Sequence, residues 1–208
     1  MLSGYMTDLP LVAILRGLRP EAAEAVGFAL VEAGFRIIEV PLNSPEPFRS
    51  IETLARTMPG DVLIGAGTVL DVEQVDGVKD VGGKLIVMPH GDTDVIRRAK
   101  ENRMLCTPGV ATPTEAFAAL KAGADAIKIF PAESIPPHVV KAWRAVLPKD
   151  TIVLPVGGIK PDNMKPYVDA GANGFGLGSA LFTPAMSVEE VGSNARAFAS
   201  AWKALRSS

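Results

Sequence analysis

Two ionisable residues interrupt runs that are otherwise apolar. Lys128 sits inside Asp125–Glu133, DAIKIFPAE, between Ala126-Ile127 and Ile129-Phe130, and Glu39 sits inside Arg36–Leu42, RIIEVPL. Lysine is almost never fully buried without a partner, because desolvating its ammonium is costly. A desolvated lysine has a depressed pKa and becomes a neutral amine. Such an amine attacks a ketone to form a Schiff base, and the protonated imine withdraws electrons from the neighbouring carbon. That chemistry needs a base, and a buried glutamate with a pKa near neutrality moves protons well at physiological pH. The bland alternative is an ion pair between Glu39 and Lys128, or between Glu39 and Arg16, that holds a core together. Two charges in the middle of two apolar strands favour catalysis over two separate accidents.

The other polar residues of interest fall at the ends of apolar runs. Arg16 ends LVAILRG and offers a planar fork suited to a carboxylate, or is a surface arginine. Thr68 in GAGTV either bonds a substrate or caps the helix that follows. Gly157-Gly158 and Gly178-Ser179 follow the seventh and eighth runs, where backbone N–H groups and a helix N-terminus make phosphate sites; otherwise they are tight turns. His90 and His138 are the only histidines, and neither has a partner at metal-ligand spacing, so metal chemistry is not expected. His138 reads as exposed, and His90 as a possible rim contact after the fourth strand. Cys106 is the only cysteine, which rules out an internal disulfide, and its apolar surroundings make it a small buried hydrophobe rather than a reactive thiol.

The elements that must position these residues alternate along the chain. Strand-like runs lie at Leu11–Gly17, Arg36–Leu42, Leu63–Val69, Lys84–Pro89, Leu105–Val110, Ala126–Pro131, Ile152–Gly158 and Gly174–Leu181. They are continuously apolar rather than alternating, which suits parallel strands covered by helices. Helices are expected at Pro20–Ala33 before Gly34, from Pro113 behind a Thr112/Glu115 capping box and ahead of Gly123, and at Pro161–Ala170 before Gly171. Eight such steps in 208 residues leave about 26 residues each, enough for a short βα unit. The expected fold is a single-domain (β/α)8 TIM barrel over residues 1–208. A doubly wound open sheet is disfavoured because no glycine-rich dinucleotide fingerprint follows the first strand.

A composition of 48% hydrophobic and 21% charged residues is that of a soluble globular chain. A net charge of −2 with no basic run makes nucleic acid and anionic membranes poor partners. MLSGYMTDLP lacks a basic region ahead of an apolar core, so no secretory leader is expected and the cytoplasm is the expected location.

The ordered set LVAILRG, EVPLNSP, GAGTVL, TPGVATPTEA, AIKIFPAE, PVGGI and GLGSALF resembles the 2-keto-3-deoxy-6-phosphogluconate/galactonate aldolases over nearly the whole chain. The resemblance implies a Schiff-base aldolase on a (β/α)8 barrel, commonly trimeric, with no cofactor. Its substrate is a phosphorylated six-carbon keto sugar acid, cleaved to pyruvate and D-glyceraldehyde 3-phosphate. By position, Lys128 matches the imine-forming lysine, Glu39 the residue that moves protons, Arg16 the ligand of the pyruvyl carboxylate and Thr68 its neighbour. Gly157, Gly158, Gly178 and Ser179 match the phosphate loops. Gluconate-type relatives tend to carry a hydroxyl residue just before the Gly-Gly; here it is Val156. With LPLVAILRG, PLNSP and the IRRA helix, this resembles the galactonate-type branch. His90 departs from it, standing where an asparagine is expected. The readings left in competition are the gluconate C4 epimer or 4-hydroxy-2-oxoglutarate as substrate, an imine-free phosphosugar epimerase or isomerase, and a non-catalytic sensor of sugar phosphates.

Overall fold

The computed structural model describes residues 1–206. After a short 3-10 helix at Leu2–Tyr5, strands and helices alternate. The strands are β1 (Leu11–Ile14), β2 (Ile37–Pro41), β3 (Leu63–Gly67), β4 (Leu85–Val87), β5 (Leu105–Thr107), β6 (Gly109–Val110), β7 (Ile127–Ile129), β8 (Val153–Pro155) and β9 (Phe175–Leu177). The helices are α1 (Pro20–Glu32), α2 (Pro47–Thr57), α3 (Val72–Asp80), α4 (Thr93–Glu101), α5 (Pro113–Ala122), α6 (Pro137–Arg144), α7 (Met164–Asp169) and α8 (Val188–Arg206). Every strand pairing is parallel. A six-stranded sheet runs β5-β4-β3-β2-β1-β9, and a three-stranded sheet runs β6-β7-β8.

Two features tie the sheets together. The run Leu105–Val110, expected as one strand, is split at Pro108, with β5 pairing to β4 and β6 to β7. Proline has no N–H to give a ladder, but its carbonyl still accepts from the Lys128 N–H at 2.9 Å. On the far side, a parallel bridge between Val156 and Gly176 joins the end of β8 to β9.

The remaining differences from expectation are at element ends. The strands stop short, so Gly157-Gly158 and Gly178-Ser179 lie in loops beyond β8 and β9. Helix α1 begins on its proline and is followed by Gly34 at φ 104°. Helix α5 carries the full capping box, with Glu115 and Thr112 satisfying each other's backbone, and Gly123 adopts the left-handed conformation after it. Helix α7 starts at Met164 rather than at Pro161. Asn163 takes up the intervening turn, accepting from the Lys160 N–H and donating to the Gly158 carbonyl, both at 2.8 Å.

Burial follows the two-residue period of a strand. Ile38, Val40, Ile64, Ile86, Ile127 and Ile129 join the large core shared with the helices. Their neighbours Ile37, Leu63, Leu85, Ala126 and Leu154 form a second cluster on the opposite sheet face, with Leu2 of the N-terminal 3-10 helix packed among them. Cys106 is fully buried, its sulfur 3.8 Å from that of Met88, and burial pushes the thiol up to about 12. It is the inert hydrophobe its surroundings implied.

Candidate active site

The same alternation decides where the two charged strand residues point. Glu39 is two residues on from Ile37, and Lys128 is two on from Ala126, so both side chains face the smaller cluster rather than the helices. Val12, Ile14 and Arg16 form the same series along β1 and its exit, as do Leu105 and Thr107 on β5, and Leu154 on β8 with Val156 just past its end. The faces turned away from the helices therefore carry Glu39 and Thr107 on the six-stranded sheet and Lys128 and Val156 on the three-stranded one, all four lining one small cavity, with Arg16 at the exit of β1.

The electrostatics are those of a desolvated pair. Glu39 is 1% exposed and its Oε2 has no hydrogen-bond partner among the described residues, while Lys128 is 6% exposed. Burial raises the Glu39 carboxyl to about 7, against the opposing pull of the Lys128 and Arg16 charges. Burial also lowers the Lys128 pKa, with the Glu39 carboxylate opposing the shift and Arg16 adding to it. The Lys128 Nζ lies 4.7 Å from the centroid of the Phe130 ring. These are the conditions for a nucleophilic amine beside a proton carrier.

Glycines make the room. A Cβ on Gly67 of β3 would lie 1.8 Å from the Glu39 Oε2, and one on Gly176 would lie 2.7 Å from Val156. Gly67→Ala therefore displaces the carboxylate and is expected to lower turnover by on the order of 10²-fold, the effect of moving a reacting group by about an ångström. Gly60→Ala is the control, since an added Cβ there meets nothing within 4 Å. Steady-state kinetics of the two variants checks this, and equal rates would refute it.

Lys128 borders two cavities. The smaller, about 20 Å³, lies among Glu39, Thr107 and apolar residues of the inner face. The larger, about 400 Å³, opens beyond the strand ends. Arg16, Lys128 and Phe130 line it together with Gly157, Gly158, Gly178 and Ser179; Val156 borders both cavities. Arg16 is exposed, and its Nη1 donates to the Asn43 Oδ1 at 2.7 Å, while Ser44 Oγ accepts from the Gly17 N–H at 2.9 Å. The loop after β2 thus clasps the loop after β1. Gly157 and Gly158 hold φ values of 113° and 64°, which L side chains rarely adopt, so their glycine identity is a backbone requirement.

Three residues stand apart. Thr68 follows β3 at φ 56°, an uncommon conformation for a β-branched residue, and lines neither cavity. It does not cap α3: Asp71 does, accepting from the Gln74 N–H at 2.8 Å. His90 is exposed and borders neither cavity, and His138 is exposed on α6. Among the described residues no group of three or more His, Cys, Asp or Glu side chains could hold a metal ion, and no helix is long and apolar enough to cross a membrane.

Sequence reasoning passes over Thr107, Asn43, Asn163 and Glu133. Thr107 has a readable signal, since it lies two residues from Leu105 and shares its face. Asn43 and Asn163 come from loops and Glu133 from a short 3-10 turn at Ala132–Ser134, and their placing follows from tertiary contacts.

Comparison with known proteins shows what the chain is similar to. The chain is 51% identical to a probable 2-dehydro-3-deoxy-6-phosphogalactonate aldolase of Rhizobium meliloti (strain 1021), over 95% of this chain and 93% of that protein. It is 48% identical to the 2-dehydro-3-deoxy-6-phosphogalactonate aldolase of Escherichia coli (strain K12), over 96% and 97%. A solved structure described as native KDPGal superposes with a TM-score of 0.95 at 47% identity, covering 97% of this chain and 98% of that one. The family model for KDPG and KHG aldolases matches residues 2–194, and with these relatives it places the chain in the KDPG and KHG aldolase family.

Proposed function

We propose that this protein is a class I aldolase that cleaves 2-dehydro-3-deoxy-6-phospho-D-galactonate to pyruvate and D-glyceraldehyde 3-phosphate. The observation that carries the reading is the buried Glu39–Lys128 pair: burial moves Lys128 toward the neutral amine and brings Glu39 to about 7, where it can both take up and return a proton near neutral pH. The names of the two closely similar relatives support the galactonate epimer as substrate. The two sheets act as one closed (β/α)8 barrel forming a single domain. The shared run around Pro108 and the Val156–Gly176 bridge support the closure.

The neutral Lys128 amine adds to the C2 ketone, and loss of water leaves a protonated imine. The Glu39 carboxylate takes the proton of the C4 hydroxyl. As the C4 aldehyde forms, the C3–C4 bond breaks and its electron pair flows into the iminium, giving an enamine and glyceraldehyde 3-phosphate. Glu39 returns its proton, by way of water, to C3 of the enamine. Hydrolysis of the resulting imine frees pyruvate and restores the amine. Arg16 holds the carboxylate next to C2; the place beside it that the resemblance gives Thr68 draws no support from the cavities, neither of which Thr68 lines. The loops of Gly157, Gly158, Gly178 and Ser179 hold the phosphate through backbone N–H groups. The enzyme works in the cytoplasm as a homotrimer, a reading that rests on the family resemblance.

Val156 faces the substrate near C4 and offers no hydrogen bond to the hydroxyl whose configuration separates the two epimers. The test is kcat/KM for pyruvate release from the galactonate and gluconate epimers side by side. A galactonate preference is expected; equal rates or a gluconate preference would discard the substrate assignment and keep the aldol chemistry. Val156→Thr, which adds a hydrogen-bonding group at C4, is expected to move the ratio toward the gluconate epimer by about tenfold. An unmoved ratio would remove Val156 from the specificity argument.

A further inference from the structure

Beside its Gly157-Gly158 pair, the wall of the 400 Å³ cavity carries two opposite charges. Glu133, just past β7, is the sole acidic side chain of the cavity wall among the described residues, and Lys160 is the cation beside the glycine pair. Arg16 and Lys128, the other two cations of the wall, act on Glu39. The Glu133 side chain lies against the loop itself: a Cβ on Gly157 would be 2.2 Å from its Oε2, and one on Gly158 would be 2.9 Å from its Cγ. Asn163 pins the backbone of the loop by its bonds to the Lys160 N–H and the Gly158 carbonyl. Neither Glu133 nor Lys160 takes part in an ion pair among the described residues.

We propose that Glu133 and Lys160 are an opposed pair that sets how tightly the cavity holds a phosphate dianion. Lys160 draws the phosphate to the glycine loops, and Glu133 repels it enough for the phosphorylated product to leave. Backbone N–H groups give a phosphate its place but little adjustment of affinity. A full charge at partly hydrated range changes a dianion's affinity severalfold, and salt screens the effect. The inference rests on the aldolase reading for its substrate.

The test titrates inorganic phosphate into the wild-type protein, Glu133→Gln and Lys160→Gln by calorimetry at low ionic strength. Glu133→Gln is expected to tighten binding by about three- to tenfold and Lys160→Gln to weaken it similarly, with both differences collapsing near 1 M salt. The KM of the phosphorylated substrate should move in the same directions, and by a larger factor than that of its unphosphorylated analogue. Phosphate binding that Glu133→Gln weakens or leaves alone would overturn the proposal, since the carboxylate would then only prop the loop. So would an unchanged Kd in Lys160→Gln, or no phosphate binding by the wild type. The titration needs no turnover, so failure to cleave the keto sugar acid would count against the aldolase assignment and leave this pair to be judged separately.

Discussion

Lys128→Ala abolishes pyruvate release, by roughly 10⁴-fold or more, in a protein that stays folded. The size follows from the chemistry: without an amine on the inner face there is no imine, and without an imine the C3–C4 bond has nowhere to send its electrons. The survival of the fold follows from the physics of the site. Burial lowers the pKa of Lys128, so near neutral pH the residue is a burden on the folded state rather than a support. Lys128→Met sharpens the test, because it keeps most of the stem's volume and removes only the nucleophile. Both variants are expected to melt near the wild-type temperature and to resist labelling by pyruvate and borohydride, which traps an imine at residue 128 of the wild type. A variant that loses residue 128 as a nucleophile yet retains cleavage would sink the imine mechanism. Wild-type protein that cleaves its substrate without being trapped would point to the epimerase-like use of Glu39 alone.

Much of this site is legible in the chain because parallel strands buried on both faces leave little reason for a charge. Glu39 in IIEVP and Lys128 in AIKIF violate the apolar pattern, and the violation marks them. Their orientation is legible too, since a period of two sends both to the same face as their apolar neighbours Ile37 and Ala126. Arg16 and the glycine pairs are found by position, as polar or flexible residues where apolar runs end. What sequence does not reveal depends on register and loop path. The split at Pro108 needs the knowledge that the chain passes from one sheet to the other there, because a run such as LCTPGV reads the same either way. The start of α7 at Met164 depends on Asn163 reaching back to Gly158, a contact that helix-start signals at Pro161 cannot anticipate. Glu133 looks like an ordinary exposed acid after a strand until the loop after β8 is seen to lie against it.

Glu39→Gln should separate stability from function, and pH should reveal the separation. The amide keeps the shape of the carboxyl but cannot carry a proton between the C4 hydroxyl and C3, so turnover is expected to fall by about 10²- to 10⁴-fold. Imine formation survives, because Lys128 is intact, and pyruvate with borohydride still labels the variant. The stability effect has the opposite sign. Folding raises the Glu39 pKa from its ordinary 4.5 to about 7. Between these values the folded state keeps a proton that the unfolded chain has lost, so stability declines as pH rises through the window. The penalty is absent below about 4.5, full above about 7, and roughly 3 kcal/mol in size. Glutamine never ionises and escapes it. The melting temperature of the variant should therefore match the wild type at the acid end and exceed it above pH 7, by about 5–10 °C for a domain of this size. In the wild type the acid limb of kcat/KM should fall near pH 7 and belong to the coupled pair rather than to either group alone. A melting difference that does not change with pH would mean that folding leaves the Glu39 pKa near its ordinary 4.5, and a carboxyl of that pKa is a weak base for the C4 hydroxyl near neutral pH.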